Sequence, residues 1–403
     1  MSEILFDPLR TQRLMDEAGI DLLLASRRSN VAYLTDCFGI MYWEYPEVAH
    51  MLDTEDDGCQ MPFYFAGLPR DMVNPFVVSH DNRAYVFKES WMKDVRPACA
   101  LKGEPPLDVL SGALRDRGLA DARIGVEMSH LPATIMDGLR AQFPKAQLLD
   151  AGPVFWGMRA VKTPREQARQ RQAYRVAEEI YREVFRLIAR PPNLTVPDVR
   201  ALIMAMAAKA LCPPPHFGYV FPQDGTAKFA WNKAAAPTYR FDPGDVVLFD
   251  LGIVWKGYTT DFGRNAVLGT PSPELRDVYD RMVRCREEIA PLIVPGKRVR
   301  DLHAEAALIR ERLRLPAVPS IGHSLGIECH EQPSLTADYP TEIEENMTLV
   351  IELVEGLGNI SFLLEDAGVV TPDGWQSMTV MGTELVELNP WDRRRGIPCP
   401  LWK

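Results

Sequence analysis

The chain has 403 residues, of which 46% are hydrophobic and 25% charged, and its formal net charge is −10. This length exceeds one ordinary hydrophobic core and predicts two domains. The acidic balance argues against nucleic acid as a partner, because duplex binding needs a basic face. The sequence has no run of about 18 apolar residues, as a membrane-spanning helix needs, and its first residues lack a secretory signal pattern.

Cysteine usage bears on the cellular compartment. The seven cysteines are scattered along the chain and never form a CxxC pair. Such a set argues against a disulfide framework and against a structural zinc site, so we expect a cytoplasmic protein.

The N-terminal part of the chain alternates between helical and strand patterns, which is typical of an α/β layer domain. A helix is predicted over residues 10–18, and strands over residues 21–25, 84–87 and 123–127. The segment 41–72 is rich in aromatic, acidic and methionine residues and shows no period. It is either a functional loop or a disordered surface insertion.

The domains are predicted to span residues 1–160 and 161–403. Just after the boundary, Thr163 is placed to cap a helix, Pro164 takes its first position and Glu166 completes a capping box. Further helices are predicted from Thr195, from Ser272 and over residues 300–313, with strand hairpins between and after them.

Two neighbouring strand patterns each carry an aspartate. Asp250 ends an apolar run, and Asp261 follows a short turn that contains a glycine. Both lie equally far from a turn centred between Trp255 and Lys256, which predicts that they face each other across an antiparallel pair. Buried like charges are costly unless cations lie between them. The alternative is a surface hairpin with two solvated aspartates.

A second hairpin repeats this pattern. Glu352 and Glu365 each interrupt an apolar strand pattern, and a turn follows at residues 372–374. Between the two hairpins, glycines surround His323, and His330 follows. A lone histidine is more often structural than a ligand, but here it joins four carboxylates within apolar strands.

Four carboxylates and one imidazole form a hard, oxygen-rich ligand set. This set favours two divalent ions such as manganese, iron, cobalt or zinc over a closed cysteine-type zinc site. Two such ions can share a bridging water, lower its pKa and polarise a substrate carbonyl. The sequence therefore predicts a two-metal hydrolase.

The ligand order resembles that of the metallopeptidase superfamily with the pita-bread fold, which includes methionine aminopeptidases, aminopeptidase P, prolidases and creatinase. The strings at residues 257–264, 322–326, 330–333 and 365–374 resemble the local motifs of that superfamily, although Gly263 replaces a usual threonine. Residues 30–34 resemble a string of the N-terminal domain in the creatinase and prolidase branch.

The resemblance assigns roles to the metal ligands. It implies that Asp250, Asp261 and Glu365 hold one or both ions, with Asp261 and Glu365 bridging them. His323 and Glu352 would complete the shell of one ion. Glu352 would also act as the general base on the bridging water.

The resemblance also implies an α+β fold, in which a curved antiparallel sheet covered by helices follows a smaller α/β domain. His330 would bind the substrate or the developing oxyanion. We expect a homodimer, in which Trp43, Tyr45 and Phe63 reach over the active site of the neighbouring subunit.

The substrate-handling residues depart from the family pattern. The family's upstream histidine would fall near residues 232–233, where none stands, and we assign Trp231 and Asn232 to substrate binding. His216 lies further upstream and is not expected to compensate. Leu353 replaces a usual proline, and the loop over residues 41–72 is longer and more aromatic than a plain prolidase needs.

These departures leave three functions open. The first is a hydrolase of a peptide-like C–N bond in a small peptide, of the Xaa-Pro dipeptidase or aminopeptidase type. The alternative is a metal-dependent enzyme on a small non-peptide metabolite, such as a small amide hydrolase or a dimethylsulfoniopropionate lyase. The third is a non-catalytic binding module, which has no need of five retained ligands.

Overall fold

The computed structural model describes residues 4–41, 64–189, 194–225 and 240–388. The chain divides into two compact units, Met1–Arg159 and Ala160–Lys403. In the described ranges, no helix combines the length and the apolar content needed to cross a bilayer. The predictions for Trp43, Tyr45, Phe63, Trp231 and Asn232 fall outside the described residues.

The first unit is built on a mixed six-stranded sheet. Its strands are β1 (Leu22–Ala25), β2 (Tyr64–Pro69), β3 (Phe76–His80), β4 (Asp94–Ala98), β5 (Arg123–Val126) and β6 (Gln147–Asp150). The strand order is β4-β3-β2-β1-β5-β6, and the pairs β1–β5, β5–β6 and β3–β4 are parallel. Its described helices are α1 (Pro8–Glu17), α2 (Arg28–Thr35), α3 (Pro106–Arg115), α4 (Ala133–Gln142) and α5 (Gly152–Ala160).

The predicted strand over residues 84–87 is wrong. These residues lie in a 3₁₀ helix, Asp81–Glu89, in which Phe87 is buried while Tyr85 is exposed. The pattern of a short apolar run is compatible with both a strand and a helical turn, so it did not distinguish between them here. The other short strands of this unit, at residues 22–25 and 123–126, confirm the sequence prediction.

The second unit begins with the predicted helix start. Thr163 accepts a hydrogen bond from the Glu166 backbone, and the Glu166 carboxylate accepts one from the Thr163 backbone at 2.8 Å. This capping box satisfies donors that the first helical turn leaves open. The helices of the unit are α6 (Pro164–Ile188), α7 (Val196–Lys209), α8 (Pro273–Ile289) and α9 (Val299–Arg312).

A nine-stranded sheet dominates the second unit, and all its pairs except one are antiparallel among the described strands. The described strands of the whole unit are β7 (Phe217–Gln223), β8 (Val246–Gly252), β9 (Val254–Trp255), β10 (Tyr258–Thr259), β11 (Gly263–Leu268), β12 (Ser320–Ser324), β13 (Glu331–Thr336), β14 (Thr348–Leu357), β15 (Ile360–Thr371), β16 (Gly374–Ser377) and β17 (Val386–Leu388). The main path is β13-β12-β14-β15-β11-β8-β7, while β9 and β10 form a separate ribbon.

Two apolar clusters hold helices against this sheet. One packs α6 and α7 against β8, and the other packs α8 and α9 against β14 and β15. Burial of these apolar side chains fixes the strand registers, because a slip of one residue would expose every core side chain. The registers in turn decide which polar side chains meet.

Candidate metal centre

The registers of five neighbouring strands place three carboxylates in one row. Asp250 lies opposite Tyr219 and Gly263, Gly263 lies opposite Glu365, and Glu365 lies opposite Glu352. Directly opposed residues of antiparallel strands project from the same face. Asp250, Glu365 and Glu352 therefore share one surface of the sheet.

Gly263 stands at the centre of this row, and packing explains the glycine. A Cβ at position 263 would lie 2.5 Å from Cγ of Leu363 and 3.1 Å from Cβ of Glu365. Leu363 is itself buried against Phe221 and Leu248. The side chain of Leu363 therefore takes the space that a threonine at position 263 would need.

Asp250 and Asp261 are close together but not directly opposite, which corrects the sequence prediction. The ribbon turns at Lys256 and Gly257, with φ of 47° and 90°, and pairs Trp255 with Tyr258. Two central residues with positive φ make the two-residue turn that matches strand twist. The turn lies one residue further along than predicted, which places Asp261 diagonally across from Asp250.

His323 on β12 points its Nε2 atom at the acidic residues. Nε2 lies 3.3 Å from Oδ2 of Asp261, 3.6 Å from Oε1 of Glu365 and 4.0 Å from Oε2 of Glu352. On the other side of the ring, Nδ1 donates to the carbonyl of Ser324 at 3.0 Å. That bond fixes the tautomer with a lone pair on Nε2, the arrangement of metal-binding histidines.

The five predicted ligands and His330 form three overlapping groups, and within each group the donor atoms lie within 4.8 Å of one another. The groups are Asp250, Asp261 and Glu365; His323, Glu352 and Glu365; and Asp261, His323 and His330. Two buried atoms of this centre, Oδ1 of Asp250 and Nε2 of His323, have no hydrogen-bond partner among the described residues. Buried polar atoms without partners are costly, and divalent cations would satisfy both, so the donor set fits metal ions.

The pKa values of the carboxylates support the same reading. Burial raises the pKa of Asp250 well above its usual range, and the charges of Asp261 and Glu352 raise it further. Burial and the charges of Asp261, Glu352 and Asp250 raise the pKa of Glu365 in the same way. Burial would lower the pKa of His323, but the negative charge of the nearby Asp261 carboxylate contributes to raising it overall. A cluster this rich in negative charge requires cations to hold its carboxylates ionised.

Cys329 also contacts the centre, which the sequence analysis did not foresee. Its Sγ atom donates to Oδ2 of Asp261 at 2.8 Å, and the residue is buried. Burial and the charge of Asp261 raise the pKa of this thiol. The one sequence feature that could have indicated this contact is the position of Cys329 directly before His330.

A buried ion pair shapes the loop that carries His330. Nζ of Lys162 lies 3.2 Å from Oε2 of Glu331, and both side chains are about 1% exposed. Oε1 of Glu331 accepts hydrogen bonds from the backbone of Ile327 and of Glu328. The loop brings the His330 ring to 4.1 Å from the ring of His323, measured between centroids.

Leu353, which departs from the family pattern, and His216 are both among the described residues. Leu353 is buried and packs in the apolar cluster beneath α8 and α9. Because side chains alternate along a strand, it points away from the face that carries Glu352. His216 is exposed, and its backbone N donates to the carbonyl of Gly252. Burial lowers the pKa of His330, and the nearby His323 acts in the same direction.

Comparison with known families identifies the chain. Residues 162–387 match the model of metallopeptidase family M24, and residues 9–161 match the creatinase/prolidase N-terminal domain. The chain belongs to metallopeptidase family M24. This M24 chain is therefore a metal-dependent hydrolase, and its family implies divalent metal ions.

Individual relatives of the M24 chain cover most of its length. It is 26% identical to an Xaa-Pro dipeptidase of Lactobacillus helveticus over 373 residues, which is 90% of this chain and 96% of the relative. An X-Pro aminopeptidase structure from Thermotoga maritima aligns with a TM-score of 0.75 and 18% identity, covering 94% of this chain and 99% of the other. The structure of the dipeptidase PepE from Mycobacterium ulcerans aligns with a TM-score of 0.73 and 21% identity, covering 95% of this chain and 97% of the other. These likenesses show the pita-bread fold.

Proposed function

We propose that this chain is an Xaa-Pro dipeptidase or aminopeptidase that uses two divalent ions. The observation that carries the proposal is the sharing of ligands. Asp261, Glu365 and His323 each belong to two of the overlapping donor groups. Of these three, only the carboxylates have two oxygens with which to bridge two ions, so Asp261 and Glu365 are the proposed bridging ligands.

Each ligand has a proposed place. Asp250, together with the two bridging residues, would hold one ion, while His323 and Glu352 would complete the shell of the other. When bound, such ions lower the pKa of water and polarise a carbonyl oxygen. This is the chemistry that amide hydrolysis requires.

Glu352 is the proposed general base. Its side chain is 36% exposed, whereas the side chains of Glu365 and Asp261 are 3% and 6% exposed. A proton must pass between the attacking water and the leaving nitrogen, and an accessible carboxylate at the edge of the centre can carry it. The buried carboxylates are enclosed and suited to holding ions.

His330 is the proposed substrate-binding residue. It is exposed, lies against His323, and belongs to a donor group with Asp261. A ring N–H at this position can donate to the carbonyl oxygen of a substrate as negative charge develops on it. Trp231 and Asn232 remain proposed substrate contacts on the strength of the sequence alone.

The substrate class rests on the named relatives, since an Xaa-Pro dipeptidase aligns along nearly the whole chain. The test is turnover by protein reconstituted separately with manganese, iron, cobalt and zinc, on a panel of Xaa-Pro dipeptides and longer Xaa-Pro peptides. Matched Xaa-Ala peptides serve as controls. Release of free proline from dipeptides, abolished by a chelator, supports a dipeptidase. Release of the N-terminal residue from longer peptides supports an aminopeptidase.

The same experiment includes small amides and dimethylsulfoniopropionate. The absence of a histidine near residues 232–233 is the sequence observation that keeps such metabolites in the test. Metal-loaded protein that cleaves no Xaa-Pro peptide, but turns over one of these compounds, would contradict the proposal in favour of a metabolite enzyme.

We also propose that the protein forms a homodimer, that it is located in the cytoplasm and that manganese is its preferred ion. Light scattering on the purified chain tests the homodimer, and fractionation of cells tests the location. Metal analysis of protein purified without added metal identifies the resident ion. A monomeric mass would contradict the homodimer, and a different resident ion would contradict manganese.

A further inference from the structure

Two tyrosines of helix α6 contact the backbone beside both metal-binding aspartates. Tyr174 and Tyr181 are separated by seven positions, about two helical turns, so they lie on the same face of α6. Both are fully buried in the apolar cluster between α6 and the sheet. We propose that these two hydroxyls are positioning groups that hold Asp250 and Asp261 at the spacing the metal ions require. The inference rests on the proposed metal centre.

Tyr174 supports the backbone of Asp261 directly. Its hydroxyl accepts a hydrogen bond from the Asp261 N–H at 3.1 Å and donates one to the Asp261 carbonyl at 3.0 Å. Asp261 lies between β10 and β11, where the described strands offer it no ladder partner. A buried backbone N–H and C=O without partners would be costly, so the hydroxyl takes the place of a neighbouring strand.

Tyr181 joins the two aspartate segments. Its hydroxyl donates to the carbonyl of Phe249, at 2.8 Å, and also contacts the carbonyl of Phe262. Phe249 directly precedes Asp250, and Phe262 directly follows Asp261. One side chain on the helix therefore contacts the chain next to each aspartate and ties the two together.

The spacing matters because the Asp261 carboxylate has close neighbours on more than one element of the centre. Its Oδ2 atom lies 3.3 Å from Nε2 of His323 and 2.8 Å from Sγ of Cys329. Metal sites tolerate deviations of only about 0.2 Å in ligand distance. Loss of groups that orient the ligands typically lowers metal affinity by about 10–100-fold.

Ring packing separates the hydroxyl from the rest of each side chain. The Tyr181 ring stacks on Phe249, with centroids 3.9 Å apart, and the Tyr174 ring packs edge-on against Phe262 at 6.1 Å. A phenylalanine at either position keeps these contacts and removes only the hydroxyl. Tyr279 supplies a matched control, since it is equally buried and its hydroxyl has no hydrogen-bond partner among the described residues.

The experiment compares Tyr174→Phe, Tyr181→Phe and Tyr279→Phe with the unchanged chain. Titration of metal-free protein with cobalt gives the affinity for each ion, and the visible spectrum of bound cobalt reports coordination geometry. We expect Tyr174→Phe to weaken cobalt binding about 10–100-fold and to shift the spectrum. Tyr181→Phe should also weaken cobalt binding and shift the spectrum. Tyr279→Phe should have the cobalt affinity and the spectrum of the unchanged chain.

Folded Tyr174→Phe protein with cobalt affinity within twofold of the unchanged chain, and with the same spectrum, would overturn the inference. If Tyr174→Phe fails to fold, Tyr181→Phe decides by the same criteria, because it retains both bonds to Asp261. Failure of the unchanged chain to bind cobalt would instead count against the proposed function. Loss of stability without any change in cobalt binding would assign the tyrosines to folding alone.

Discussion

Glu352 and Glu365 lie directly opposite each other on β14 and β15. Like charges in this arrangement repel, and burial adds the cost of removing carboxylates from water. Burial raises the pKa of both groups, which shows that the protein alone does not stabilise their charges. Cations bound between the two side chains would remove this cost, which is consistent with a metal site at this position.

Removing either of the two proposed bridging carboxylates should reduce the number of bound metal ions. We expect Asp261→Ala and Glu365→Ala to lose at least one bound ion per chain and to lose peptidase activity. The reason is that each residue belongs to two donor groups. Elemental analysis of dialysed protein and calorimetric titration give the stoichiometry.

Asp373→Ala is the matched control, because it removes an exposed acidic residue from the turn between β15 and β16. It should bind metal like the unchanged chain. In the unchanged chain, metal at about 100 times its dissociation constant should add about 2.7 kcal/mol of stability. Full metal binding by Glu365→Ala would contradict the ligand assignment.

Restoring a threonine at position 263 should destabilise the protein. Gly263→Thr introduces a Cβ 2.5 Å from Cγ of Leu363, and such overpacking costs about 1–3 kcal/mol. Trimming the opposing side chain should relieve this contact. We therefore expect Gly263→Thr combined with Leu363→Ala to be more stable than the sum of the single changes predicts. Urea unfolding of all four proteins measures the coupling, and strictly additive values would refute it.

Lys162 should be needed for the loop that carries His330. Lys162→Met leaves Glu331 buried without its cation, a loss of about 3–5 kcal/mol in comparable pairs. Adding Glu331→Gln should recover part of this loss, because it removes the isolated charge. Lys297→Met breaks a more exposed pair with Glu305 and should cost about 1 kcal/mol or less. Equal losses for the two lysines, measured by urea unfolding, would contradict this prediction.

Ionisation of the buried Glu166 carboxyl should lower the free energy of unfolding as the pH rises. Burial raises the pKa of Glu166 to about 7 from 4.5, although bonds from the Thr163 backbone and the Tyr258 hydroxyl oppose the shift. A carboxyl whose pKa is higher in the folded state stabilises the fold below about pH 4.5 and loses that contribution as the pH rises through 7. From pH 5 to pH 8 the expected loss is about 2.5 kcal/mol.

Glu166→Gln keeps a hydrogen-bonding amide at this position and removes the titration. The measurement is the urea unfolding free energy of metal-free protein at pH 5, 6, 7 and 8 for both chains. The difference between them isolates Glu166 from the other acidic groups. A difference that does not change with pH would show that Glu166 is not the titrating group.

The sequence by itself determined the chemical composition of the centre. Carboxylates interrupting apolar strands violate the ordinary preference of core positions, so Asp250, Asp261, Glu352 and Glu365 stand out without any structure. The helix start at Thr163 was equally determined, because a capping box is a local pattern that few residues define. The fold of the second unit followed from the resemblance that these residues carry.

Only the tertiary structure decided how these groups meet. The turn at Lys256 and Gly257 moved the register by one residue and placed Asp261 diagonal to Asp250, a difference that spacing alone did not resolve. The bonds from Tyr174 to Asp261, from Cys329 to Asp261 and from Lys162 to Glu331 join residues far apart in sequence. Such contacts depend on the packing of α6 and the loop after β12 against the sheet. Local patterns carry no information about that packing, because it is set by burial across the whole unit.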